Sequence, residues 1–109
     1  MEQVVVDPAL LDAMLAGAST PGTDQDRWLD SITDQLGAFT DEQAALVTVT
    51  LTDLVLAGLP ARERESALHA VAEVVEWHPV ARPAAEALCT LDRTALSPSE
   101  VEYLGFVCG

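Results

Sequence analysis

The chain has 109 residues, half of them apolar, enough for one domain around one modest core and too few for two. Eighteen acids oppose five bases, all arginine, for a net charge of -13, a balance that repels nucleic acid and anionic membranes. No apolar run approaches the ~20 residues that cross a bilayer, and the acidic start "MEQVVVDP" has no signal-peptide character, so the chain is expected to be cytoplasmic.

Helix punctuation recurs along the chain. In "DPALLDAMLAG", Asp7 is an N-cap, Pro8 the first helical residue and Gly17 a stop, with Leu10, Leu11, Met14 and Leu15 as the apolar stripe. After the loop "ASTPG", Thr23 caps a second helix with Asp24 and Asp26 in its first turn; Trp28, Leu29, Ile32 and Leu36 share a face, and Gly37 ends it. Thr40 and Gln43 form a capping box for a third helix that runs to about Ala57, where Gly58 and Pro60 stop it. Inside that segment "VTVTLT", residues 47–52, alternates like a strand. Helix is the better reading, because the bracketed segment is long for a strand and no partner strand is in sight.

A fourth helix is expected from about Ala61 to Trp77, ended by Pro79, and a short fifth from about Pro83 to Leu91. In the sixth, Ser97 is the cap, Pro98 the first helical residue and Glu100 the reciprocal partner, ahead of Val101, Leu104 and Val107. Short loops make neighbours antiparallel. The expected fold is therefore all-α: a single domain over residues 1–109 of five to six antiparallel helices, in a short array or bundle.

The chemistry-bearing residues cluster in "SALHAVAEVVEWHP", residues 66–79. On a helical wheel Glu65, His69, Glu73 and Glu76 fall within about 100°. Leu68, Val71, Ala72 and Val75 lie elsewhere, and Ala67, Ala70, Val74 and Trp77 widen the apolar girth, which predicts a central helix with one wet stripe. His69 and Glu73 could share a ligand, but two helical groups do not complete a zinc site, and HExxH is absent. The direction of His78, just past the helix, is open, and Trp77 reads as a core residue or helix-end plug. Arg62 and Arg64 are expected to answer the neighbouring Glu63 and Glu65.

"DQDRWLD" fails as a calcium loop, because Trp28 takes a ligand position and Leu29 replaces the glycine of the sharp turn. No GxSxG and no phosphate loop occurs, and the five arginines form no nucleic-acid patch. Cys89 and Cys108 make no CxxC motif and read as reduced structural thiols in apolar surroundings. No catalytic, cofactor or metal site is expected. The best candidate surface is acidic: Asp26, Asp30 and Asp34 recur every four residues along one helix edge, and Asp41 and Glu42 follow at the start of the next. Residues 1–58 hold ten acids and one base, Arg27, so a partner that reads charge reads this half. A solvated face explains the same residues.

"VARPAAEAL", residues 80–88, resembles the second-helix pattern of HEAT-type repeats at Val80, Arg82, Ala84, Ala85 and Leu88, without the Asp usually ahead of it and with an unusual Pro83. More broadly, "RERESALHAVAEVVEWHP" and "LDRTALSPSEVEYL" are similar to small acidic helical immunity proteins encoded beside bacterial toxins. That resemblance covers less than half the chain. It implies a non-enzymatic inhibitor that binds one cognate toxin, often a basic nuclease. Asp26, Asp30, Asp34, Asp41 and Glu42 would supply the attracting field, and Trp28 or Tyr103, if exposed, an aromatic anchor; both also read as core. The alternatives are an adaptor that binds a partner helix and an acidic mimic of a nucleic-acid backbone. Oligomeric state is left open.

Overall fold

The computed structural model describes residues 7–19 and 25–108. The expected cap at Thr23 and first-turn acid at Asp24 lie outside the described residues. Five α-helices are present: α1 (Pro8–Ser19), α2 (Gln25–Asp34), α3 (Asp41–Ala57), α4 (Ala61–Trp77) and α5 (Pro98–Cys108). A 3-10 segment, Pro79–Thr90, takes the place of the expected fifth helix, and shorter 3-10 turns occupy Leu36–Ala38 and Arg93–Ala95. No strand occurs among the described residues, so the fold is all-α as expected. The radius of gyration is 13.1 Å, the value expected of a packed chain of this length.

The local capping signals act as read. The Asp7 carboxylate accepts from the Ala9 N–H at 2.8 Å. Thr40 and Gln43 exchange both bonds of the capping box, at 3.0 and 3.1 Å, and Gly58 ends α3 at φ +104°, where a side chain would be strained. Residues 47–52 are helical. Their β-branched threonines are accommodated because Thr48 and Thr50 each donate back to the carbonyl four residues earlier, at 2.8 Å. Val47, Thr48, Leu51, Thr52 and Val55 are buried, the spacing of a helix face rather than of a strand.

α4 is the central element: it packs against α2, α3, α5, the Leu36–Ala38 turn and the Pro79–Thr90 segment. Ala67, Leu68, Ala70, Val71, Ala72, Val74 and Val75 are all buried, which is why its apolar residues occupy most of its circumference. The small alanines let neighbouring helices approach from two sides, so truncating Leu68 to Ala would cost about 2–5 kcal/mol.

Several expectations change. α1 continues past Gly17 to Ser19. The glycine is there for contact rather than for termination, since the Trp28 ring of α2 lies directly against it. Leu10 is exposed, and Leu11, Met14 and Ala18 form the buried face of α1. α2 ends at Asp34, before the 3-10 turn that holds Gly37. The expected α-helix from Pro83 to Leu91 is a 3-10 segment starting at Pro79. Pro83 has no N–H to give and disfavours helical geometry in the residue before it, so regular α-helix cannot form through it.

Cys89 and Cys108 are not free thiols. They form a disulfide, with Cα atoms 5.8 Å apart, that pins the end of α5 to the 3-10 segment. The residues are 19 apart in sequence, and only the packing of α5 on that segment brings them together.

Candidate functional site

The five candidate acids fall into two groups joined by the 35–40 turn. Asp30 and Asp34 are exposed on α2. Asp26 lies on the same helix, and its side chain is outside the described residues. Asp41 and Glu42 are exposed in the first turn of α3. The groups differ physically. Carboxylates at a helix N-terminus are favoured by the helix dipole, so Asp41 and Glu42 have a structural reason to be there. Asp34 is the last residue of α2, whose last turn has no base; the dipole disfavours an anion there, and Asp30 one turn back adds repulsion.

His78, whose direction the sequence left open, turns inward. Nδ1 faces Asp41 Oδ1 at 3.2 Å and Nε2 faces the Leu36 carbonyl at 2.9 Å. Both partners are acceptors, so a neutral ring donates to one and an imidazolium to both. The contact fastens the end of α4 to the start of α3 while Asp41 keeps 69% of its side chain in solvent.

Trp77 is not a plug. It is 60% exposed, and its ring reaches within 3.6 Å of where a Cβ on Gly37 would stand. The 3-10 start at Pro79 turns the chain just after Trp77, so the ring rests on the Leu36–Ala38 turn instead of entering the core. It thus stands beside the turn to which His78 and Asp41 are tied. Trp28 and Tyr103, the aromatics expected as core or anchor, are both half-buried: Trp28 against Gly17 and Tyr103 against His69, with ring centroids 5.0 Å apart.

The remaining chemistry-bearing groups do not converge. His69 is exposed and meets Glu73 at 3.4 Å, and Glu76 is exposed as well, so the wet stripe of α4 is where the sequence placed it. Among the described residues no three His, Cys, Asp or Glu side chains could hold a metal ion together. One cleft lies between the 3-10 segment and α5, with Pro79, Pro83, Val107 and the disulfide in its walls and Arg82 and Glu86 as its ionisable groups. A smaller one holds Arg62, Glu65, Ser66, His69 and Tyr103.

The displaced titrations lie elsewhere. Arg64 reaches past Glu63 and Glu65 to Glu100 on α5, with Nε 2.5 Å from Oε2 and Nη2 3.0 Å from Oε1. These bonds hold the buried Glu100 carboxyl below the usual carboxylate range, against the opposing effect of burial and with help from Ser97. They also raise the Arg64 guanidinium. The same carboxylate accepts the Ser97 N–H at 3.0 Å, and Ser97 Oγ accepts the Glu100 N–H at 3.2 Å. The expected capping box is therefore present and also anchors an ion pair between helices. Asp92 is lowered by its bonds from the Thr94 hydroxyl and N–H. None of these three groups lines either cleft.

Compared with known proteins, the chain matches no family model, no curated protein and no solved structure.

Proposed function

We propose that this chain is a non-enzymatic protein-binding inhibitor. It captures one basic protein through its acidic edge, in the manner of an immunity protein that neutralises a cognate toxin. The observation that carries the reading is Asp30 and Asp34: two exposed carboxylates one turn apart on α2, the second at its C-terminal end, with no base in its last turn. The fold gains nothing from Asp34 at that position, which supports a role for these acids in binding. Exposed Trp77, beside the turn that leads from α2 to Asp41, adds the kind of residue that dominates interface energies. Opposite charge speeds encounter, and the aromatic anchor slows release.

Catalysis fits the site less well, because the groups with displaced pKa are tied up in a cap and an interhelical ion pair rather than gathered in a cleft. Residence in the cytoplasm belongs to the same proposal. The Cys89–Cys108 pair weighs on it: a bridge persists in oxidising surroundings, and in a reducing cytoplasm the same residues would stand as neighbouring thiols.

The test is co-expression with the protein encoded beside it. Growth should be restored by the native chain and lost again with D30N/D34N, while Trp77→Ala should weaken the complex without unfolding the inhibitor. No rescue and no complex with a folded native chain would refute the inhibitor reading.

A further inference from the structure

The outward face of α3 carries a second pattern. At 100° per residue, Glu42, Leu46, Val49, Asp53 and Leu56 fall within an arc of about 80°, opposite the buried Ala44, Val47, Leu51 and Val55. Leu46 is 47% exposed, Val49 43% and Leu56 45%. Single exposed apolar residues are ordinary. Three on one stripe of one helix, about 15 Å from Leu46 to Leu56, make a ridge with Asp53 within it and Glu42 one turn before it.

We propose that this ridge docks an amphipathic helix of a basic protein partner. The apolar side of that helix would lie on Leu46, Val49 and Leu56, and its arginines or lysines would meet Glu42 and Asp53. Charge selects this occupant. α3 contains three acids and no base, in a chain of net charge -13. A second copy would bring the same acids against one another. A membrane surface calls for a polar face rich in lysine and arginine, and α3 has neither. A helix with an apolar stripe and basic flanks matches both the leucine spacing and the sign of the field, a recurring way for proteins to read a partner helix. The inference rests on the reading that the chain binds protein, and it names a surface distinct from Asp30 and Asp34.

The test needs no native partner. A fluorescein-labelled synthetic helix of about fifteen residues, leucines along one stripe and arginines on its flanks, is titrated with the full chain and followed by anisotropy. A control peptide has the same composition with the leucines scattered around the helix. The patterned peptide should bind and the scattered one should not. V49D/L56D should weaken binding about tenfold or more, since two half-exposed contacts become charged. L46Q/L56Q, milder for folding, should weaken it in the same direction. D53N should reduce both affinity and its salt dependence. Equal binding of the two peptides, no loss in V49D/L56D and L46Q/L56Q with helix content intact, or sedimentation showing self-pairing through these residues would overturn the proposal. Because growth rescue is not the readout, the ridge and the acidic edge fail separately.

Discussion

Removing Arg64 should damage this fold more than its partly exposed position suggests. Glu100 is 2% exposed at its side chain, whereas Arg64 keeps 23%. The acid therefore bears most of the desolvation, and the arginine repays it with two charge-assisted bonds. Arg64→Ala strands a buried carboxylate with only the Ser97 N–H as partner. Such losses run to about 3–5 kcal/mol for a fully buried pair, and water entering where Arg64 stood lowers the expected cost to about 3 kcal/mol. At this chain length that is a fall of ~12 °C in Tm. Glu100→Gln keeps the volume and the cap acceptor and leaves Arg64 free to turn to solvent, so it should cost about 1–2 kcal/mol. The double variant R64A/E100Q should then be more stable than R64A alone, because the second change removes the stranded charge. Acid works in the same direction. The folded-state pKa of Glu100 is lowered, so its contribution is fully present above the unfolded carboxylate range and is lost as pH falls through the folded value. The gap between native protein and R64A should close on acidification. Urea unfolding of the four proteins from pH 7 downward measures all of this. A double variant no more stable than R64A, or a gap that ignores pH, would refute the reasoning.

Other perturbations have simpler signatures. Reducing the Cys89–Cys108 bridge, or replacing both residues with Ser, releases a loop spanning 19 residues and should lower stability by about 3 kcal/mol, visible as a Tm that depends on reductant in the native chain only. Thr52 has a buried hydroxyl oxygen with no hydrogen-bond partner among the described residues. Thr52→Val should therefore raise stability by about 1 kcal/mol in chemical denaturation; a loss would mean that the oxygen has an acceptor role. Asp34→Asn removes an anion from the C-terminal end of α2 and a like-charge neighbour of Asp30, so it should stabilise the isolated chain by about 0.3–1 kcal/mol in urea while weakening capture of a basic partner. A destabilised D34N protein would show that Asp34 serves the fold.

The elements that could be read from the sequence are those decided within one or two turns. Asp7, Thr40 and Ser97 satisfy backbone donors two or three residues away, so residue identity at short spacing suffices. α4 was readable in both bounds and central position, because its wet stripe and apolar girth are properties of one helix. What escaped depends on partners far along the chain. Arg64 could be paired with Glu63 or Glu65 by proximity, yet it chooses Glu100, 36 residues away, because α5 packs on α4. The disulfide escaped for the same reason, its cysteines looking like core residues until α5 met the 3-10 segment. The exposure of Trp77 turns on the direction the chain takes at Pro79, and helical periodicity does not encode that. The candidate acids were readable as residues. That Asp34 closes α2 without a compensating base became visible only once the end of that helix was known.

The two halves of the chain are secured differently, and this bears on where a partner can act. Among the described residues, the disulfide and the Arg64–Glu100 pair both lie within residues 61–108, binding α4, α5 and the 3-10 segment into one block. α1 and α2 are held by packing, Leu11, Met14 and Ala18 on one side and Leu29 and Ile32 on the other, with Trp28 laid over Gly17 and Gln25 Nε2 donating to the buried Ala18 carbonyl at 2.6 Å. The half without the disulfide and the Arg64–Glu100 pair also holds ten of the eighteen acids and one of the five bases. Self-repulsion therefore falls on the part of the fold with the least reinforcement. A basic protein bound at Asp30 and Asp34 would neutralise charge there and stabilise the folded chain by mass action. The His78 contacts to Asp41 and the Leu36 carbonyl sit at the join between the halves, so charge placed on the acidic edge acts next to a polar tie between them.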